Sequence, residues 1–222
     1  MFHINLNRKI FWIVAALIVF SNALLTYTMY KKNKDMIEVR ALSKGDSLKN
    51  YFISMRNIYK HQFLNSGIDI NDTTIGFLPA HASTLISDKF AELSEDGTTI
   101  RNVTDRARNP KNKADKFELE AIEYFKSNPN KTTLIKKIEQ NGMDFFNFTS
   151  PLIIEPYCIS CHGKKEETLP SIQERYDSAY DYKVGDIRGV TSIKIPSEKL
   201  TNESMHNFYN IAIFSWIAYS FC

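Results

Sequence analysis

The chain's 222 residues suffice for one medium domain with accessory segments, and at 43% hydrophobic and 24% charged its composition is that of a folded protein. A net charge of +3, with lysines and arginines alternating with acids, speaks against nucleic acid as a partner. There is no glycine-rich phosphate loop, low-complexity tract or internal repeat of useful length.

Lys9 to Lys32 holds about 20 residues without charge, the length a helix needs to cross a bilayer. Trp12 lies near one end and Tyr27 and Tyr30 near the other, where amphipathic rings favour the headgroup level. Arg8 and Lys9 also suit the basic start of a signal peptide, but the apolar run is long for one and no small-x-small cleavage site follows. The expected layout is a cytoplasmic N-terminus at 1–9 and a retained membrane helix at 10–30, with Lys31-Lys32-Asn33-Lys34 as its basic flank. Basic residues on both sides leave the orientation to a second argument. An N-terminal anchor followed by a second span normally leaves the loop between them outside.

After the anchor, Leu48, Tyr51, Phe52, Met55, Ile58, Tyr59 and Phe63 recur at helical spacing, a stalk helix over 31–66. Gly45-Asp46 is expected to interrupt or begin it, and Asn65-Ser66-Gly67 to end it. Such a stalk must pack on the following domain or pair with a second chain, so a homodimer is one expected partnership. From Ile75 a short loop leads into a helix over "FLPAHASTLISDKFAEL", and "TTIRNVTDRARNPKN" reads as a strand running into a turn at Asn109-Pro110. "ADKFELEAIEYFKSN" predicts a helix with Phe117, Ala121, Tyr124 and Phe125 on one face. Asp115 and Glu118 suit its capping box, and Asn128-Pro129 its stop. "MDFFNFTSPLII" and "GDIRGVTSIKIP" read as a closing strand pair. The fold class is therefore α+β, with a central antiparallel sheet in a domain over 67–196. Ser197 opens a connecting helix over 197–207. The apolar stretch 208–222 then reads as the start of a second membrane helix, with any output module expected beyond residue 222.

The chemistry concentrates in "SPLIIEPYCISCHGKK", which holds two of the three cysteines, Cys158 and Cys161, with His162 directly after them. C-x-x-C-H is the attachment signature of c-type haem. Each thiol adds to one porphyrin vinyl group, two intervening residues let one turn of chain reach both, and the histidine ligates the iron. Attachment occurs outside the cytoplasm, which agrees with the proposed topology. A zinc site would need a further Cys or His pair that the chain lacks, since Cys222 sits in the apolar tail. A thioredoxin-type dithiol would need a βαβ layout that is also missing. A plain disulfide remains an alternative, though it leaves His162 without a role.

Two blocks carry a resemblance. "RARNPKNKADKFELEAIEYF" and "SPLIIEPYCISCHGKKEETLPSIQERYDSAYDYKVGDIRGVTSIKIP" resemble, in order, the Arg-Asn-Pro and C-x-x-C-H-G blocks of a family of extracytoplasmic c-type-haem, PAS-like sensor domains, formerly a domain of unknown function. The resemblance spans roughly residues 35 to 200. It implies a PAS-like fold and one covalent haem c held by Cys158 and Cys161, with His162 as proximal iron ligand. It also implies a place at the input end of a membrane sensor histidine kinase, diguanylate cyclase or chemoreceptor-like protein. The signal would be a small diatomic gas or a redox partner. The location would be the inner membrane of a bacterium, with 31–207 on the periplasmic side.

Some members of that family use a distal cysteine, for which this chain's soluble region has no third cysteine. His81 is the first candidate for the sixth ligand, ahead of His61, Met55 and Met143, because imidazole is a common iron ligand. His3 and His206 flank the spans. Arg106 and Arg108 are candidates for haem propionate partners, or alternatively hold the Asn109-Pro110 turn. Tyr157, Tyr176, Tyr180 and Tyr182 are candidates for the porphyrin wall or for ordinary core. No general base pairs with an open site, so the chain is not expected to be an enzyme. The rival to a sensor is a membrane-anchored monohaem electron carrier.

Overall fold

A computed structural model describes residues 6–71 and 73–220; His3 and Cys222 lie outside them. The elements in chain order are α1 (Leu6–Asn65), α2 (Pro79–Leu93), β1 (Thr99–Val103), α3 (Lys116–Ser127), β2 (Leu134–Gln140), β3 (Met143–Ile153), α4 (Ile159–His162), α5 (Pro170–Arg175), β4 (Ile187–Pro196) and α6 (Ser197–Ser220). Residues fall into two compact units, Ala41–Ser197 and the two flanks Met1–Arg40 with Glu198–Cys222. The contacts therefore assign the last part of the expected stalk to the domain.

Within the flanking unit, α1 and α6 are joined by polar bridges. Ser215 Oγ donates to Asn22 Oδ1 at 3.1 Å and Asn33 Nδ2 donates to the Ser204 carbonyl at 3.0 Å. Tyr30 and Phe208 meet edge to face with ring centres 5.8 Å apart. Ile10, Phe11, Trp12, Leu17 and Phe20 lie exposed along α1. Among the described residues, this one helix is long and apolar enough to cross a membrane.

The domain is α+β around a four-stranded antiparallel sheet of order β1-β4-β3-β2. β4 is central and buried along nearly its whole length, in keeping with its Val, Ile and Thr content. On one face α3 supplies Ala121, Ile122 and Phe125 to a cluster with Val103 and Val190. Its expected capping box is present: Asp115 accepts from the Glu118 amide, and Glu118 accepts from the Asp115 amide. The other face carries Phe146, Phe148, Ile193 and Ile195, paired across β3 and β4.

One expectation is corrected. Gly45-Asp46 neither interrupts nor begins a helix, since α1 runs through it to Asn65. A Cβ at Gly45 would sit 2.5 Å from Cγ of the buried Phe148, so the glycine serves close approach of α1 to the sheet. That approach outweighs a helix-propensity cost of about 1 kcal/mol. Gly45→Val is expected to cost about 1–3 kcal/mol by overpacking, read as a lower urea midpoint; an unchanged midpoint would contradict this contact. β2, a segment whose sequence pattern assigns no element, enters the sheet as an edge strand. Its hairpin to β3 turns on Asn141 and Gly142, at φ 55 and 75, as a two-residue primed turn requires.

Candidate functional site

After β3, Pro156 starts a short 3-10 turn that passes directly into the single helical turn α4. Residues three and four apart share a helix face, so Cys158, Cys161 and His162 are brought to one side. All three line one cavity of about 420 Å³, within the ~300–1,000 Å³ typical of cofactor sites. Both cysteines are free thiols. Burial pushes the Cys161 thiol pKa up. Gly163 ends the turn where any Cβ would lie 2.8 Å from the Ile159 carbonyl oxygen. Among the described residues, no three His, Cys, Asp or Glu side chains converge as a metal-ion site.

The turn is held from outside by the segment 178–182. The His162 and Gly163 carbonyls accept from the amides of Tyr182 (3.1 Å) and Asp181 (2.9 Å). Ala179 and Asp181 adopt left-handed backbone, φ 59 and 64, costly for residues with a Cβ. That conformation accompanies carbonyls turned to three site residues. Ala179 O lies 2.9 Å from His162 Nδ1. A carbonyl only accepts, so Nδ1 carries the proton and the Nε2 lone pair is left free. Burial, and next the charge of Arg188, lower the His162 pKa to about 3, which keeps the ring neutral at physiological pH.

Arg106 and Arg108 tie the two sequence blocks together. Arg108 Nε donates to Ser178 O at 2.9 Å, and its Nη2 donates to Cys161 O at 2.8 Å and Ala179 O at 3.2 Å. Arg106 Nη2 donates to Tyr180 O at 2.7 Å. The two guanidiniums also lie over aromatic rings, Arg106 on Tyr182 at 4.7 Å and Arg108 on Tyr180 at 4.5 Å. Their donors thus go to main-chain carbonyls that shape the motif. Arg108→Ala is expected to loosen the 178–182 segment and to cost on the order of 2–3 kcal/mol, because three charged hydrogen bonds are lost. Faster amide exchange at Asp181 and Tyr182 is the readout.

The remaining candidates divide clearly. His81, at the start of α2, is half-buried and lines the same cavity as His162. His61 is exposed on α1, Met143 is 57% exposed near the β2–β3 turn, and neither these nor Met55 reach the cavity lining. His206 is exposed in the flanking unit, beside Asn210. Tyr157, Tyr176 and Tyr182 line the cavity, and burial pushes the Tyr157 pKa up to about 12. Tyr180 is core instead, its hydroxyl donating to the Tyr176 carbonyl at 2.8 Å with the Ile172 carbonyl 3.1 Å away.

Sequence reasoning missed three cavity cations, Arg56 and Lys60 on α1 and Arg188 on β4. Arg56 could have been found from its place four residues after Phe52 and seven before Phe63, on the stripe that α1 buries. Lys60 is accounted for by Glu155 at 3.2 Å. Arg56 Nε is buried with no hydrogen-bond partner. Among the described residues lining the cavity there is no Asp or Glu. The lining is thus cationic, with apolar walls and two imidazoles, His162 with its Nε2 lone pair free and His81. It suits a flat, largely apolar ligand bearing negative charge and a metal ion, such as an iron porphyrin with its carboxylates.

A family model described as Tll0287-like (Tll0287) matches residues 32–196. Among solved structures, the chain is similar in fold to the crystal structure of the cyanobacterial haem protein Tll0287. The identity is 22% and the TM-score 0.56, over 71% of this chain and 95% of that one. No curated protein matches the chain.

Proposed function

The chain belongs to the Tll0287-like family, and from that premise we propose that it is a membrane-anchored, extracytoplasmic c-type haem sensor domain of PAS-like type. The observation that carries the proposal is the meeting of Cys158, Cys161, His162 and His81 in one cationic cavity. Cys158 and Cys161 would hold one haem c covalently, His162 would be its proximal ligand through Nε2, and His81 its distal ligand. When bound, the haem supplies an iron that changes oxidation state and axial ligation. The chain's residues do the rest. Ala179 O fixes the imidazole tautomer and ring plane, Arg106 and Arg108 hold the carbonyl frame, and Tyr157, Tyr176 and Tyr182 exclude water.

The apolar N-terminal part of α1 is the proposed anchor in a bacterial inner membrane, with residues 31–207 on the periplasmic side, where haem c is attached. The second apolar stretch, in α6, is proposed as the start of a second span. β4 ends at Pro196 and α6 begins at Ser197 without a linker, a direct route from the sheet towards an output. Tyr51 and Ile58, one heptad apart and 71% and 65% exposed, form the proposed seam with a second copy; a monomer in sedimentation would rule that seam out.

The sensor role is tested by hydrogen exchange of the haem-loaded protein. Reduction of the iron, or addition of NO, CO or O2, is expected to change exchange in β4 and the start of α6. Exchange that is identical in every state would overturn sensing and favour the plain electron carrier.

A further inference from the structure

We infer that Arg56 and Arg188 form an anion clamp for the carboxylates of the cavity's ligand, and, on the haem reading above, for its propionates. Both residues line the cavity, one from α1 and one from β4. Arg56 Nε is buried and unpartnered. No carboxylate partners the guanidinium of Arg188, and no Asp or Glu lies among the described lining residues. Lys60 has Glu155, while Arg106 and Arg108 have carbonyls. Arg56 and Arg188 are therefore the cavity cations with neither a carboxylate nor a main-chain carbonyl as side-chain partner among the described residues. They are also near enough to disfavour each other: burial first, then the Arg56 charge, lowers the Arg188 pKa.

A buried cation without an anion is costly, and two facing one cavity are more so. Entry of negative charge would relieve that cost. Guanidinium pairs with carboxylate through two parallel hydrogen bonds, which fits a ligand carrying two carboxylates. The clamp also has a mechanical consequence. The ligand's charge would join α1 to β4, the two elements that lead out of the domain at Ala41 and Ser197.

The test uses Arg188→Met and Arg56→Met in two backgrounds, the haem-loaded chain and haem-free Cys158→Ala/Cys161→Ala. In the loaded chain each substitution is expected to lower the Tm. It also leaves a propionate unpaired and disfavours the reduced iron at least tenfold, a potential about 59 mV lower. In the haem-free chain the same substitution removes a repulsion and is expected to raise the Tm. Arg188→Lys, which keeps the charge, should recover most of the potential. If Arg188→Met does not fold, Arg56→Met alone carries the comparison, since it sits on a helix that the sheet does not depend on for pairing. A wild-type chain carrying no haem would mean that the haem reading has failed. Haem present, with an unchanged potential and equal Tm losses in both backgrounds, would overturn the clamp alone and reduce both arginines to structural residues.

Discussion

Cys158→Ala/Cys161→Ala is expected to yield a folded chain that carries no covalent haem. The two thiols lie on one face of a single helical turn and line the cavity, so alanine removes the attachment atoms and leaves the turn intact. The framework around them does not use the sulfurs. Arg108 holds the Cys161 carbonyl, and Asp181 and Tyr182 bond the carbonyls behind His162. The contact made to sulfur by the Glu155 amide, at 3.4 Å from Cys158 Sγ, is a weak one. Haem staining on a denaturing gel should vanish in the double variant while circular dichroism keeps the wild-type profile. Each single variant should retain one thioether and part of the stain. Undiminished staining in the double variant would contradict attachment at these residues.

His162 produces the second large effect, through pH. In the haem-free background its folded pKa lies at about 3, against 6.5 for a free imidazole. Between those values the unfolded chain binds a proton that the folded chain does not, so stability rises with pH. Lowering the pH from 6.5 towards 4 therefore costs up to about 1.4 kcal/mol per pH unit from this residue. Asp96 and Asp115 have pKa values below the ordinary 3.8 of an aspartate, so their contribution is lost mainly below pH 4. Urea titrations at pH 6.5, 5 and 4 should show a steep slope in the haem-free chain and a nearly flat one after His162→Ala. Equal slopes would mean that the ring is not held neutral. In the haem-loaded chain, His162→Ala should keep the covalent haem and lose the iron spectrum of a histidine-ligated centre.

Local patterns were the legible part of this molecule. Asp115 and Glu118 sit three residues apart before an apolar-periodic run, and their capping box is present. Gly67, at φ 67, follows the end of α1 where Asn65-Ser66-Gly67 predicted it. The C-x-x-C-H spacing predicted a shared face because helical geometry alone makes one. What stayed hidden depends on distant partners. Gly45 looks like a helix breaker until Phe148 is seen against it. β2, Leu-Ile-Lys-Lys-Ile-Glu-Gln on a sheet edge, has no clean apolar–polar alternation, so its place as a strand depends on its pairing with β3. On α3 the buried apolar positions are Ala121, Ile122 and Phe125, with Phe117 only half-buried, a choice made by where Val103 and Val190 lie. Arg188 looks like one more surface cation within Gly-Asp-x-x-Gly, yet it faces the cavity. No spacing rule connects His162 with the carbonyl of Ala179, seventeen residues away.

Arg106 and Arg108, candidates for propionate partners or for a structural role, hold a structural role. Their guanidiniums bond the Cys161, Ser178, Ala179 and Tyr180 carbonyls, so the Arg-Asn-Pro block builds the frame around the C-x-x-C-H block. The anion clamp proposed above is assigned instead to Arg56 and Arg188, whose guanidiniums hold no such frame.

The central claim is that this cavity holds one haem bound covalently through Cys158 and Cys161. The most direct measurement is the intact mass of the chain purified from bacteria with c-type haem maturation, taken before and after thiol alkylation. The account predicts a mass higher by one haem and no alkylation at Cys158 or Cys161. A mass equal to the polypeptide alone, with both thiols alkylated, would contradict it.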